Sequence, residues 1–279
     1  MPSHLHIDPR TSQAPTRDVA RAYDLMADGY DDVAGEAFYL NQYEAYDKFL
    51  IHHSDKLRGR LLDLGCGTGI QSVLASEYAG RVFGMDIAQD LVTAAQQKLR
   101  PAVFLSGDAC VLPFRDNSFD TIISFGEVLS HIPDYGAAFR EAARVLRLNG
   151  FFLFSVLNKW NLRTLTRPGE LVAALRCPIG HWRRWGCEIN DMGDFVSIDL
   201  KTFSESEIQS LCAVVGLRVR DVRAIHVTSL VVPLHLQYGR MNVWGKVFAR
   251  LGDLDTLLAA KPLLRSFGYT RMVVAQRVG

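Results

Sequence analysis

The chain is poor in cysteine and holds no pair in CxxC spacing: Cys66, Cys110, Cys177, Cys187 and Cys212 are scattered through 279 residues. None shares ligand spacing with a histidine, so no metal site is expected, structural zinc included. Cys177 and Cys187 could bridge, but the polar N-terminus MPSHLHIDPRTSQAPTRD has no apolar core and reads as neither signal peptide nor anchor. Free thiols in a reducing, cytoplasmic compartment are therefore expected. A surplus of one charge is also missing. With 31 Lys+Arg against 30 Asp+Glu, the chain lacks the basic excess that phosphate neutralisation needs, and no nucleic-acid partner is expected. Long apolar runs are missing too. The longest, Ala224 to Leu236, is broken by His226, Thr228, Ser229, Pro233 and His235 and falls short of the ~20 residues that span a bilayer. No transmembrane segment is expected, while peripheral membrane contact stays open. Internal repeats and low-complexity tracts are absent.

What is present is 48% hydrophobic residues, enough for a substantial core. Residues 1–58 read as an N-terminal segment with amphipathic covering helices, carrying Tyr23, Met26, Tyr30, Tyr39, Tyr43, Tyr46, Phe49 and Leu50 at three- and four-residue spacing. From Arg60 the texture changes to short apolar strands alternating with helices: strands at 61–64, 81–85, 103–105, 121–125 and 151–156, helices at 70–78, 89–99 and 135–146. The strands are continuous apolar runs, as expected when helices cover both faces of a parallel sheet. Residues 59–279 are expected to form one α/β domain, a doubly wound sheet of about seven mostly parallel strands, with an irregular lid insertion at 158–200 and a second insertion at 228–268. Between them Ser204-Glu205-Ser206-Glu207 is a capping box that opens a helix, followed by a strand at 217–227. A last strand at 270–276 is expected to run antiparallel at the edge.

The first strand ends in Gly65-Cys66-Gly67-Thr68-Gly69, where closely spaced glycines let a ligand approach the backbone at the carboxyl edge of the sheet. Ile70 stands where the dinucleotide fingerprint requires glycine, which disfavours a nicotinamide or flavin oxidoreductase. Asp63 is a charge inside an apolar strand, explained if its carboxylate accepts the amides of this turn. Asp86 ends the next strand about 20 residues on, the position from which an acid takes both ribose hydroxyls of a nucleoside. Asp108, after the third strand, can accept from an exocyclic amine. The fourth strand ends in Phe125-Gly126-Glu127, beside the same crevice.

LLDLGCGTG at 61–69, VFGMDI at 82–87, SGDA at 106–109, FDTIISFGEVLSHIPD at 119–134 and EAARVLRLNGFFLFSVLN at 141–158 resemble the successive motifs of class I S-adenosylmethionine-dependent methyltransferases, a Rossmann-like fold. YDLMADGYDD at 23–32 resembles the segment that closes over the cofactor in small-molecule members. The resemblance implies S-adenosylmethionine as cofactor and S-adenosylhomocysteine (SAH) as product. It implies that Gly65, Cys66 and Gly67 lie along the methionine part, Asp86 binds the ribose, Ile87 packs on adenine, Asp108 and the Ala109 amide read the adenine edge, and the Phe125 carbonyl holds the amino group. Tyr23 and Tyr30 are candidates for the carboxylate. No Asn-Pro-Pro-Tyr-like motif follows the fourth strand, which disfavours nucleic-acid amine methylators.

Methyl transfer is then expected to an oxygen or nitrogen of a small natural-product or lipid-like acceptor, with carbon less favoured. His131 and Glu127 are the candidate general bases, against a structural role for either. The segment Arg176 to Trp185 interleaves cations with aromatics, compatible with an anionic or aromatic acceptor, an anionic membrane, nucleic acid or a plain solvated loop. A domain that binds S-adenosylmethionine without turning it over is the alternative function. The oligomeric state is not specified by the sequence.

Overall fold

The computed structural model describes residues 14–33, 37–176, 181–188, 195–229 and 243–279. Among the described residues, nine strands form one sheet: β1 (Arg60–Leu64), β2 (Arg81–Asp86), β3 (Val103–Ser106), β4 (Phe119–Ser124), β5 (Leu146–Asn158), β6 (His181–Glu188), β7 (Phe195–Phe203), β8 (Leu217–Ile225) and β9 (Thr270–Arg277). Strands β3, β2, β1, β4 and β5 run parallel in that order. The last strand, β9, lies antiparallel between β5 and β8, so the reversal expected at the edge falls one strand inside it. Chain order reverses between β1 and β4, which opens the crevice at the carboxyl ends of the strands.

Alternation explains why the strands read as continuous apolar runs. Leu62, Leu64, Phe83, Met85, Ile122, Phe152 and Phe154 enter one core layer, while Leu61, Val82, Ile123 and Leu153 enter the other. Successive side chains point to opposite faces, and both faces are covered. The first layer packs under α7 (Tyr135–Val145) and α10 (Glu205–Val214), through Phe139, Ala142, Ile208 and Cys212. Helix α10 starts at Ser204 with both halves of the capping box formed. The second layer receives α3 (Ala37–His52), whose Tyr46, Phe49 and Leu50 are fully buried. Its other helices are α4 (Ile70–Ala75) and α5 (Gln89–Lys98).

Ahead of α3 lie α1 (Ala14–Met26) and α2 (Tyr30–Val33). The stretch expected to be an irregular lid is largely ordered: α8 (Leu162–Thr166), α9 (Pro168–Arg176) and the antiparallel hairpin β6–β7. Strand β5 continues past its pairing with β4 at Phe154, and its last residues, Leu157 and Asn158, pair with Thr202 and Phe203 of β7. The inserted hairpin thus extends the sheet to nine strands. Residues 177–180, which include Cys177, and the 230–242 part of the second insertion lie outside the described residues, and the side chains of His181 to Trp185 are not described.

Candidate active site

The glycine turn after β1 is folded by its amides. Gly65 N and Cys66 N both donate to the Met85 carbonyl, at 2.7 and 3.1 Å, so the end of β1 is bonded to the end of β2. Gly65 has φ +74°, and a Cβ there would stand 2.4 Å from Val128 Cγ2; only glycine suits both demands. Gly67 N donates to Asp86 Oδ2 at 2.8 Å and Ala88 N to Asp86 Oδ1 at 3.0 Å. Each Asp86 oxygen therefore holds one backbone amide and keeps further acceptor capacity. Burial raises the Asp86 pKa against the pull of these amides.

Asp63 does not do what its position suggested. Its Oδ2 accepts the Ser72 hydroxyl of α4 at 2.6 Å, while the amides of Gly65, Cys66 and Gly67 go to Met85 and Asp86. Burial pushes its pKa up to about 7, opposed by Ser72, which makes Asp63 a strand-to-helix tie beneath the turn.

A cavity of about 750 Å³, its open mouth included, lies at the carboxyl ends of β1 to β4, the crevice where open α/β sheets bind their ligands. It brings together Tyr23, Tyr30, Gly65, Gly67, Asp86, Ile87, Asp108, Ala109, Phe125 and His131 from the sequence candidates. Asp63, Cys66 and Glu127 do not line it. Cys66 is buried in the core layer beneath, its thiol directed to the Gly67 carbonyl. Sequence reasoning missed the apolar wall: Val19, Leu91, Val128, Ile132 and Pro133 also face the cavity. Val128, Ile132 and Pro133 stand beside Glu127 and His131, so the motif itself was the available signal. Val19 and Leu91 carried none.

The N-terminal segment closes over this cavity through named contacts. The Tyr30 ring stands over Gly67, 3.8 Å from where a Cβ would be. Asp31 accepts from Thr68 Oγ1 at 2.7 Å and pairs with Lys98 at 2.5 Å. Helix α5 has Ala88 at its N-cap with no side-chain acceptor, and Asp24 of α1 supplies one, taking the Asp90 amide at 3.1 Å. Tyr23 packs against Tyr30 and edge-on against His131, with ring centroids 6.2 and 5.7 Å apart.

The two candidate bases separate. Glu127, at φ +55°, turns its carboxylate into the interior. There Gln42 Nε2 donates to Oε2 at 2.7 Å, and the Tyr46 hydroxyl donates to Oε1. Burial raises its pKa against those bonds. Glu127 anchors the strand-to-helix corner on α3 and does not reach the cavity. His131, at the end of α6 (Val128–His131), does reach it. Its Nε2 lies 3.3 Å from the Tyr23 hydroxyl, and its Nδ1 is buried without a hydrogen-bond partner among the described residues. Burial lowers its pKa to about 4, so the ring is neutral near pH 7.

No lysine or arginine is found among the described lining residues, whereas two carboxylates are. A diphosphate would meet these carboxylates with no counter-charge. A ligand with a sulfonium, an amine and two ribose hydroxyls fits the donor set, because carboxylates and aromatic rings stabilise a cation. The residues present therefore suit S-adenosylmethionine.

Comparison with known proteins agrees. The methyltransferase domain family matches residues 62–154. An uncharacterized protein of Methanocaldococcus jannaschii is 32% identical over 146 residues, covering 52% of this chain and 54% of that protein. A demethylmenaquinone methyltransferase of Roseiflexus castenholzii is 42% identical over 96 residues, covering 33% and 40%. The chain thus spans about half the length of these curated relatives. Among solved structures, the DhpI–SAH complex superposes with a TM-score of 0.61 at 15% identity over 96% of this chain and 98% of that one, a likeness of fold. With its glycine turn, the aspartate ending β2 and this strand order, the chain carries a match to the methyltransferase domain at residues 62–154 and resembles the class I S-adenosylmethionine-dependent methyltransferases.

Proposed function

We propose that this protein transfers the methyl group of S-adenosylmethionine to an oxygen or nitrogen of a small-molecule acceptor, a natural-product or lipid-like metabolite. The observation that carries the reading is the cavity at the carboxyl ends of β1 to β4, walled by Asp86, Asp108 and aromatic rings with no cation among its described residues. In this reading the ribose hydroxyls donate to Asp86 on the acceptor sites its two amides leave. Ile87 packs on the adenine, and Asp108 with the Ala109 amide meets its edge. The Phe125 carbonyl accepts from the amino group, residues 65–67 follow the methionine chain, and Tyr23 and Tyr30 reach toward its carboxylate.

When bound, S-adenosylmethionine supplies an electrophilic methyl on a sulfonium. The chain contributes orientation and a dry site: Val19, Leu91, Ile132 and Pro133 give the cavity an apolar wall that excludes water. A neutral imidazole with a conjugate acid near pH 4 is a weak base. His131 therefore orients the acceptor as a hydrogen-bond partner, and suits one that arrives as an anion or a free amine.

An acceptor of the demethylmenaquinone kind is the second reading, favoured by the 42% identity to the Roseiflexus enzyme so named. The test is SAH release from the purified chain with S-adenosylmethionine and a panel of phenol, carboxylate, amine and quinone acceptors. Turnover with an oxygen or nitrogen nucleophile is expected. Tight binding with no SAH across the panel would refute methyl transfer and leave the non-catalytic alternative.

A further inference from the structure

Sixteen large apolar side chains stand exposed among the described residues, and six of them fall between Val243 and Leu263: Val243, Trp244, Val247, Leu254, Leu257 and Leu263. Most belong to one face of α11 (Val243–Leu258), and Leu263 to the short α12 (Pro262–Arg265) that follows. At 3.6 residues per turn, Val243, Val247, Leu254 and Leu257 share an arc of about 80°. Val243 and Leu257 are 75% and 77% exposed. The opposite face is firmly seated. Gly245, Phe248 and Asp255 are buried, and Asn41 of α3 donates to the Phe248 carbonyl at 3.0 Å. The Asp255 carboxylate accepts the amides of Val227, Thr228 and Ser229. The apolar arc is thus the outward side of a well-anchored helix.

Its charge is one-sided. Lys246, Arg250 and Lys261 are exposed, and no carboxylate lies within ion-pair distance of them among the described residues. Of the helix's two acids, Asp253 is engaged by Lys48 at 3.2 Å and Asp255 is buried. Arg250 projects within the apolar arc itself, so a two-fold contact with a second copy would set like charges against each other in a desolvated interface. A surface of lipid headgroups answers both features, anions for the cations and acyl boundary for the apolar arc.

We propose that α11 and α12 form a docking face for an anionic phospholipid surface, with α11 lying in the interfacial plane. Val243, Val247, Leu254 and Leu257 enter the acyl boundary, while Lys246, Arg250 and Lys261 pair with headgroup phosphates. Trp244, at the start of the helix, sits at headgroup level. Helix α3, which α11 packs on through Asn41 and Phe38, also covers Phe125 of the cavity through Tyr46 and Phe49. Docking therefore brings the cavity's helical cover close to the bilayer.

The experiment is co-sedimentation of the full chain with vesicles of phosphatidylcholine alone and of phosphatidylcholine mixed with phosphatidylglycerol. Binding to the mixed vesicles, weakened by salt and weak on phosphatidylcholine alone, is expected. Lys246→Gln and Arg250→Gln should each weaken it about fivefold, and Val243→Asp with Leu257→Asp should abolish it, without lowering the melting temperature because these side chains are exposed. Failure of the wild-type chain to pellet with mixed vesicles, or undiminished pelleting of the variants, overturns the proposal. So does a dimer that Leu257→Asp splits in the absence of vesicle binding, which would make the face a self-association surface. The assay needs neither cofactor nor acceptor, so its outcome is independent of methyl transfer.

Discussion

Replacing Asp86 with alanine should weaken S-adenosylmethionine binding by roughly 1.5–3 kcal/mol, the worth of a hydrogen bond to a charged group. The carboxylate already holds two amides, Gly67 at 2.8 Å and Ala88 at 3.0 Å. Of about four acceptor sites on a carboxylate, these leave room for a ribose diol. Two such bonds are not additive, and the buried carboxylate is itself held at a desolvation cost, as its raised pKa shows. One bond's worth is therefore the measured quantity to expect, a rise in Kd of about 10- to 150-fold. The change also strips two amides of their acceptor, so part of the loss could be unfolding of the turn. Asp86→Asn separates the effects: its carbonyl oxygen can keep one amide, while its NH₂ faces a donor. Calorimetric titration with S-adenosylmethionine and SAH gives the affinity, and thermal melting reports the fold. A folded Asp86→Ala protein that binds both ligands as tightly as wild type would refute the ribose assignment.

Gly65→Ala places a side chain at φ +74° and a Cβ 2.4 Å from Val128 Cγ2, and should cost roughly 2–4 kcal/mol. Gly67→Ala meets only the Tyr30 ring at 3.8 Å and should cost about 1–2 kcal/mol; equal denaturant midpoints for the two variants would contradict the packing. His226 stacks on Phe38 with ring centroids 4.4 Å apart and bonds Ser229, itself held by Asp255. Burial, with Arg163 nearby, lowers its pKa to about 3. The unfolded chain takes up that proton below about pH 6.5 while the native state does not, so this group's stabilisation is complete above pH 6.5 and falls as pH drops toward 3. The advantage of wild type over His226→Asn should therefore shrink by about 2 kcal/mol between pH 7.5 and 5. Urea unfolding at the two pH values checks it, and taking the difference cancels the opposite drift of Asp63, whose pKa burial raises to about 7.

The alternation of strand and helix, the glycine turn and the aspartate ending β2 were legible because each is local. An apolar run of four to six residues, a turn that only glycine tolerates and an acid one strand further on follow from neighbouring residues and their backbone preferences. The parallel arrangement was legible as well, since continuous runs need two covered faces. The ordered β6–β7 hairpin was less visible, because its pairing with Leu157 and Asn158 depends on β5 outrunning β4, which no local pattern states. The cavity's apolar wall escaped for a similar reason: Val19 of α1 and Leu91 of α5 come to line one cavity only once α1 packs on α5, where Asp24 meets the Asp90 amide 66 residues further along the chain.

The two candidate bases mark the division most clearly. In the sequence Glu127 and His131 are two ionisable residues four apart in one motif, each free to be the base. The tertiary structure turns one inward and the other outward, because Tyr46 and Gln42 on α3, 81 and 85 residues earlier, capture the Glu127 carboxylate, while His131 sits one turn on beside Tyr23. The same burial sets their proton affinities, raising that of the acid and lowering that of the imidazole. By itself the sequence determined the sheet, its glycine turn and the aspartate that ends β2, since these rest on local backbone preference and periodic patterning. Which side chains face the cavity, and in which protonation state, was decided only by contacts between residues distant in the chain, because desolvation and long-range hydrogen bonding exist only once the chain has folded.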